Sequence, residues 1–264
     1  MDIKTIRYVA GDTVNAQLIG KKIQKKYNIQ EAIISPDIKL GTDINIIIVI
    51  GGDGELLQAL NQFLHLNVSF YGINSGNLGF LMNSYNDSSD LMELIYSSEI
   101  IFINPLQAQV NRSDGSSKCY LAFNECTILR KTSQVTKLEI RVDNITQLPS
   151  LLGDGILVST IVGSTAYNYA VGGLVLPLSA NLLPITAISP FRPRRWRGAL
   201  ISKTSVIDII VHDYVSRPAY FTADLQEIDN VISAKITEAQ NKQAKLLFCK
   251  NNSLELKLIK EQFK

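Results

Sequence analysis

Four short segments of this 264-residue chain concentrate residue types that handle phosphates and protons. The first is Gly51-Gly52-Asp53-Gly54, which follows an apolar run. Glycines between a buried strand and a helix let backbone N–H groups close on an anion at the helix N-terminus. A carboxylate inside that run repels a phosphate, unless a metal intervenes or the acid takes a proton from an attacking nucleophile. No Lys follows the glycines and the spacing is not Gly-x-Gly-x-x-Gly, so neither standard phosphate-binding fingerprint applies. As a lone motif it reads equally well as a tight turn with Asp53 as the helix cap. The second segment, Gly72 to Phe80, also follows an apolar run and contains Asn74, Gly76, Asn77, Leu78 and Gly79. Adjacent parallel strands place their loops at one sheet edge, so Gly51, Gly52, Asn74 and Gly76 are candidates to face a phosphate together. The third is Asn124-Glu125, a polar pair interrupting the apolar stretch from Tyr120 to Leu129. On one continuous strand the two side chains point to opposite faces, and a polar pair there needs partners or a ligand, or else an exposed edge. The fourth runs from Gly153-Asp154-Gly155 through Gly163-Ser164-Thr165-Ala166-Tyr167 to Gly172-Gly173. It reads as a strand feeding a Gly-Ser-Thr cap and a short helix, with hydroxyls and N–H groups facing a polar ligand.

One cluster is basic. Arg192, Arg194, Arg195 and Arg197 surround Trp196. Arginine forks bind phosphate, and Arg194 and Arg195 are the candidates for a phosphate clamp; a solvated loop or a subunit contact is the competing reading. His65 and His212 fall in apolar surroundings and are assigned no catalytic role. Cys119 and Cys126, placed on one strand an odd number of residues apart, face opposite sides and read as packing residues.

The elements that must position these groups change character along the chain. The first part alternates: a strand at 7–10, a helix whose Ile19, Ile23 and Tyr27 form one apolar stripe, a short strand at Ala32-Ile33-Ile34, a strand at 45–50, a helix at 55–64, a strand at 68–73 and a helix at 90–96. That order predicts an α/β unit with a parallel sheet. After Pro105 the segments 107–112, 118–130, 137–142, 155–160, 206–211, 219–222 and 244–249 all read as extended, and only Ser164 to Val171 reads as a helix. The expected fold is therefore an N-terminal parallel-sheet α/β domain and a C-terminal β-rich domain.

Composition narrows the class. Hydrophobic residues make up 46% and charged residues 19%, which is globular and excludes a disordered tail or a coiled coil. The formal net charge of +2 is too small to suggest a duplex-binding protein. Three cysteines without a Cys-x-x-Cys, and two histidines, give neither a disulfide framework nor a zinc spacing. The start carries no signal-peptide core, and the longest apolar run, Ile46 to Ile50, is too short to span a bilayer, so the expectation is a cytoplasmic protein without nucleic-acid or membrane partners.

Taken together and in order, Gly51-Gly52-Asp53-Gly54, Asn77-Leu78-Gly79-Phe80, Asn124-Glu125, Gly153-Asp154-Gly155, Gly163-Ser164-Thr165-Ala166-Tyr167, Gly172-Gly173 and the 184–189 stretch resemble the NAD kinases. The likeness spans roughly residues 45 to 230, and the 189–198 segment is similar to the short alphaproteobacterial-type members. The GGDG element is shared with lipid and sugar kinases; the Asn-Glu pair and the Gly-Ser-Thr-Ala-Tyr segment are more specific. The resemblance implies an ATP-dependent (or polyphosphate-dependent) kinase that uses a divalent metal, with Mg²⁺ expected, to phosphorylate the 2′-hydroxyl of the adenosine ribose of NAD, giving NADP. It implies Asp53 as the proton acceptor. Asp53, Gly54, Asn124, Glu125, Asp154, Thr165, Ala166, Tyr167, Asn168, Tyr169, Ala170, Ala187 and Gln226 match NAD-binding positions, with no protein metal ligand assigned. It implies a homodimer or homotetramer, and an α/β domain at 1–104 completed by the returning tail 241–264 around a β-rich domain at 105–240. Two departures stand out: Leu152 replaces a frequent basic residue, and Ile161-Val162 replace a frequent Pro-Thr. A lipid or sugar kinase and a non-catalytic NAD sensor are the rival readings. A lipid kinase needs an apolar or basic amphipathic membrane face, which is not seen here, and a sensor has no need of Asp53.

Overall fold

A computed structural model describes residues 5–32, 45–76, 79–250 and 253–263. The chain divides into two compact units, one of residues up to Ile103 together with Lys242–Lys260, the other containing Asn104–Asn241.

In the first unit the strands β1 (Ile6–Ala10), β2 (Gln30–Glu31), β3 (Ile46–Gly51), β4 (Ser69–Asn74), β5 (Glu99–Ile103) and β18 (Ala244–Phe248) form one sheet in the order β2-β1-β3-β4-β18-β5. Every pairing is parallel except that of β5 with β18. All six residues of β3 are buried, as a central parallel strand covered on both faces requires. Helix α1 (Val14–Tyr27) is capped by the Thr13 side chain and buries Ala16, Gly20 and Ile23. Helix α2 (Asp53–Phe63) begins immediately after β3, two residues earlier than the sequence pattern suggests, so Asp53 is its first residue. Helix α3 (Leu91–Tyr96) starts at Asp90, whose side chain accepts from the Met92 N–H. The strand β2 stands at Gln30–Glu31 and leaves Ala32 outside it, while Ile33 and Ile34 of the expected strand lie outside the described residues, as do Asn77 and Leu78.

Helix α5 (Leu254–Gln262) also belongs largely to this unit and buries Leu254 and Leu258. The expectation of no helix after 171 is therefore wrong. Its two anchoring leucines make too thin a stripe among charged residues to register as an amphipathic pattern.

The second unit is a sandwich of two antiparallel six-stranded sheets. One contains β6 (Leu106–Arg112), β7 (Ser117–Ala122), β9 (Thr136–Val142), β10 (Ile145–Gly153), β14 (Ile207–His212) and β17 (Val231–Glu238), in the order β10-β9-β14-β17-β6-β7. The other contains β8 (Glu125–Arg130), β11 (Gly155–Ser159), β12 (Leu182–Ile188), β13 (Gly198–Ser202), β15 (Ala219–Ala223) and β16 (Gln226–Ile228), in the order β13-β12-β11-β8-β15-β16. Val110, Ile140, Ile209 and Ile236 from the first sheet and Ile128, Ile156, Ile185 and Phe221 from the second fill one shared core.

The sandwich corrects four expectations. The stretch 118–130 is not one strand: it breaks at Phe123-Asn124, and β7 and β8 lie in different sheets. Both halves bury the same core, so hydrophobicity runs on across the break. Cys119 and Cys126 are thereby separated onto two sheets, Cys126 buried and Cys119 exposed rather than packed. The segment 164–171 is not one helix but a 3-10 turn at Val162–Thr165 followed by a single turn of α4 (Tyr167–Ala170). His212 is not in apolar surroundings either: its Nε2 lies 2.9 Å from Glu139 Oε2. His65 is exposed.

Candidate active site

In the first unit the chemistry gathers at the C-terminal ends of β3 and β4, the edge where open parallel sheets place ligands. Asp53 opens α2, and its carboxylate is gripped from the loop after β4. Its Oδ2 accepts from the Phe80 N–H and its Oδ1 from the Leu81 N–H, both at 2.8 Å. Burial pushes the Asp53 carboxyl above its ordinary pKa; the two amides and the Lys257 ammonium oppose that rise, and Glu55 adds to it. Each Asp53 oxygen keeps a second lone pair for a further donor. Gly54, the next residue, has open space where a side chain would stand. The rest of the glycine run differs from expectation. The Gly52 N–H is not free to cradle a phosphate, because it donates to Glu55 Oε2 at 2.9 Å. A glutamate three residues past the cap folds back on the helix start, so a carboxylate stands where the anion was expected. Asn74 Oδ1 likewise accepts from the Gly76 N–H at 3.1 Å.

In the second unit Asn124 and Glu125 lie where the chain crosses from one sheet to the other. The crossing is held from both sides. The Asp224 carboxylate accepts from the N–H groups of Phe123, Asn124 and Glu125 at 2.6, 2.8 and 3.2 Å. On the carbonyl side, Asn124 O accepts from the Thr160 N–H at 2.9 Å, and Phe123 O accepts from Thr160 Oγ1 at 2.6 Å. Gly163 packs so close that a Cβ would lie 2.1 Å from Asn124 O, which ties the Gly-Ser-Thr turn to the Asn-Glu corner and leaves no room for a side chain. The Tyr167 backbone N–H lies toward the Glu125 carboxylate, which favours its charged form, yet among the described residues its Oε2 is buried with no hydrogen-bond partner. Burial, and then the nearby Asp224, push its pKa up to about 8. A buried carboxylate oxygen left bare is costly unless a ligand donor meets it or a proton sits on it.

The other expected contacts divide. Tyr167 and Tyr169 are 38% and 42% exposed and can face a ligand. Asn168 cannot contribute its side chain: it is fully buried, donates to Ser164 O and Leu174 O, and accepts from Thr186 Oγ1. Thr165 Oγ1 donates to Val162 O within its own turn, and Ala166 joins that turn to α4, which ends at Ala170. Asp154 is half-buried and pairs with Arg130 Nε at 2.6 Å. Ala187 is buried in the sandwich core opposite Ile156, and its N–H donates to Arg197 O at 3.0 Å, so neither its side chain nor its N–H faces a ligand. Gln226 is exposed at the start of β16. Arg194 and Arg195 are exposed, while Trp196 in their midst packs on the core. Asp224 and Lys257 were missed by sequence reasoning. Asp224 was visible as an acid at a two-residue turn between alternating segments; for Lys257 the only local signal was the Leu254/Leu258 spacing beside it.

A Gly-Gly-Asp-Gly loop at the carboxyl end of a buried parallel strand, its acid held at the start of a helix, is the arrangement of the kinases that share this loop, and the chain falls in that class. Family models narrow it: one described as the ATP-NAD kinase N-terminal domain matches residues 15–96, and one described as the ATP-NAD kinase C-terminal domain matches residues 123–231. An NAD kinase of Rickettsia canadensis is 41% identical over 263 residues, covering 100% of this chain and 99% of that protein. One from Rickettsia prowazekii is 42% identical over 266 aligned residues with the same coverage. The chain belongs to the NAD kinase family. The fold agrees with solved structures: an NAD kinase from Archaeoglobus fulgidus in complex with ATP (TM-score 0.76, 22% identity, 98% of each chain). Yeast NADH kinase complexed with NADH gives a TM-score of 0.79 at 19% identity, over 98% of this chain and 87% of that one.

Proposed function

We propose that this chain transfers the γ-phosphoryl group of ATP to the 2′-hydroxyl of the adenosine ribose of NAD, with Asp53 as proton acceptor. In that step the ribose oxygen bonds to the γ-phosphorus, the bond to the β,γ-bridging oxygen breaks, ADP leaves, and the hydroxyl proton passes to the Asp53 carboxylate. The observation that carries the reading is the Asp53 carboxylate itself. It is fixed at the first position of α2 by two backbone amides, and burial raises its proton affinity toward that of a working base. Phosphoryl transfer makes little demand on early deprotonation, so a carboxylate suffices when it is well placed. In the second unit, the bare Oε2 of Glu125 suits a ligand hydroxyl or amine, and the exposed faces of Tyr167 and Tyr169 suit a dinucleotide.

A divalent cation is part of this reading, and the donor set constrains how it would be held. Among the described residues no group of three or more His, Cys, Asp or Glu side chains gathers into a cage. Magnesium commonly binds through one or two carboxylates plus substrate phosphates, so it would arrive with the nucleotide. Arg194 and Arg195 remain candidates for the ATP phosphates. The remaining readings, cytoplasmic location and a homodimer or homotetramer, rest on the family; among the described residues no helix is long and apolar enough to cross a membrane.

The test is NADP formation from NAD, ATP and Mg²⁺, read through an NADP-specific dehydrogenase. NADP formed by the wild type and lost in a folded Asp53→Asn variant supports the reading. A wild type that binds NAD but makes no NADP points to a sensor, and normal turnover by Asp53→Asn removes the assigned role.

A further inference from the structure

Lys257 is a half-buried cation on the last helix, outside every motif that carries the family resemblance. Leu254 and Leu258, both fully buried, fix the face of α5 on which it stands. Its Nζ donates to three backbone carbonyls of one loop: Gly79 O at 3.0 Å, Phe80 O at 3.1 Å and Met82 O. An ammonium has three donors, and all three are used. The Phe248 ring lies 5.6 Å from the same nitrogen.

The pattern becomes informative one peptide at a time. The peptide joining Gly79 to Phe80 gives its carbonyl to Lys257 and its N–H to Asp53 Oδ2. The peptide joining Phe80 to Leu81 gives its carbonyl to Lys257 and its N–H to Asp53 Oδ1. Two successive peptide groups are thus each clamped between a cation at the oxygen end and an anion at the hydrogen end. Charges placed this way polarise the amides and strengthen both hydrogen bonds.

We propose that Lys257 is a positioning residue for the phosphoryl transfer, setting the orientation of the 79–82 loop and, through two peptide groups, the placement and ionisation of the Asp53 carboxylate. The proposal rests on Asp53 being the proton acceptor. A lysine there costs desolvation, visible in its own lowered pKa. A loop that needed only anchoring could be held by neutral donors.

The charged groups facing Asp53 are Lys257 from α5 and Glu55 from the first turn of α2. Lys257 favours the ionised carboxylate and Glu55 opposes it. Removing the ammonium therefore raises the proton affinity of Asp53 and moves the acid limb of the kcat–pH profile upward. In Lys257→Met, which keeps the aliphatic stem, kcat at neutral pH falls about tenfold, as for a displaced catalytic group. The Michaelis constants for NAD and ATP stay within about twofold, since uniform binding is untouched. Lys257→Arg keeps the charge and leaves the acid limb in place. Should Lys257→Met fail to fold, Lys257→Gln, neutral but still a donor, gives the same readout. An acid limb that does not move in the folded neutral variant overturns the proposal, whether the loss then appears only in thermal stability or only in KM. Asp53→Asn run in parallel separates the two claims. If it keeps turnover, the base assignment fails; if it loses turnover while the limb of the neutral Lys257 variant stays put, only the role of Lys257 fails.

Discussion

Both units hold carboxylates with backbone amides, and they do so to opposite ends. In the sandwich Asp224 accepts three consecutive N–H groups and so fixes a chain crossing. In the α/β unit Asp53 accepts two, at the start of the helix that follows a buried strand. Glu125, next to the Asp224 nest, keeps one buried oxygen bare among the described residues. Amide donors stabilise the charged form of a carboxylate, and burial destabilises it. A carboxylate saturated by its own chain is a structural part. One left short of donors is poised for a ligand, and its raised pKa is the physical sign of that state.

The variants that break this contrast are ordered by expected effect. Asp53→Asn removes the proton acceptor and keeps only one of the two amide contacts, because the Asn amide nitrogen cannot accept; kcat falls about 10²-fold or more, and the melting temperature falls only by the loss of that one bond. Steady-state kinetics with a thermal melt reads both. Asp224→Asn should invert that outcome. Losing the charge that gathers three N–H groups costs about 2–3 kcal/mol in urea denaturation, since hydrogen bonds to charged groups are the strong ones. Turnover by the folded fraction changes less than stability does. Asn is the right replacement because Asp224 sits at φ 49°, where Ala is strained.

Glu125→Gln sharpens the comparison through pH. The folded protein keeps a proton on Glu125 up to about pH 8, whereas the unfolded chain releases it near 4.5. The native state therefore binds more protons across that window, and its stability falls as pH rises through it. Gln removes the slope. The variant should melt with the wild type below pH 4.5 and several degrees above it at pH 8, with NAD binding weakened at both. Equal melting temperatures at pH 8 would show that Glu125 is already ionised or already partnered. The smallest effect belongs to Asp154→Asn. Its ion pair with Arg130 is partly open to solvent, so stability changes by under about 1 kcal/mol, and the titration to follow is the KM for NAD.

How much of this was legible differs by element. β3 and β4 could be read because strands buried on both faces leave unbroken apolar runs, here Ile46–Ile50 and Phe70–Ile73. The glycine-flanked acid could be read because a strand-to-helix junction has its own chemistry. In the sandwich, β10, β12, β13, β16 and β17 were not marked from the sequence. β10 carries a Pro and two register shifts, β12 is buried along nearly its whole length and lacks the alternation of a half-buried strand, β13 is a short, largely exposed edge, and β16 is only three residues long. The crossing at Phe123-Asn124 was hidden because Ala122, Phe123 and Cys126 are buried on both sides of it.

The sequence alone determined the residue types and their order: the GGDG acid, the Asn-Glu pair, the Gly-Ser-Thr turn, and the change from alternating α/β to β-rich chain. Those follow from local rules, because strand burial, helix caps and glycine turns are decided within a few residues. Tertiary structure alone decided which acid is saturated and which is left wanting. Asp224 meets Phe123 across about 100 residues of chain, and Lys257 meets Gly79 across 178. A hydrogen bond is satisfied in space, so no local pattern states that Asp224 is spent on the backbone, that Glu125 is not, or that a lysine from the last helix stands behind the loop that holds Asp53.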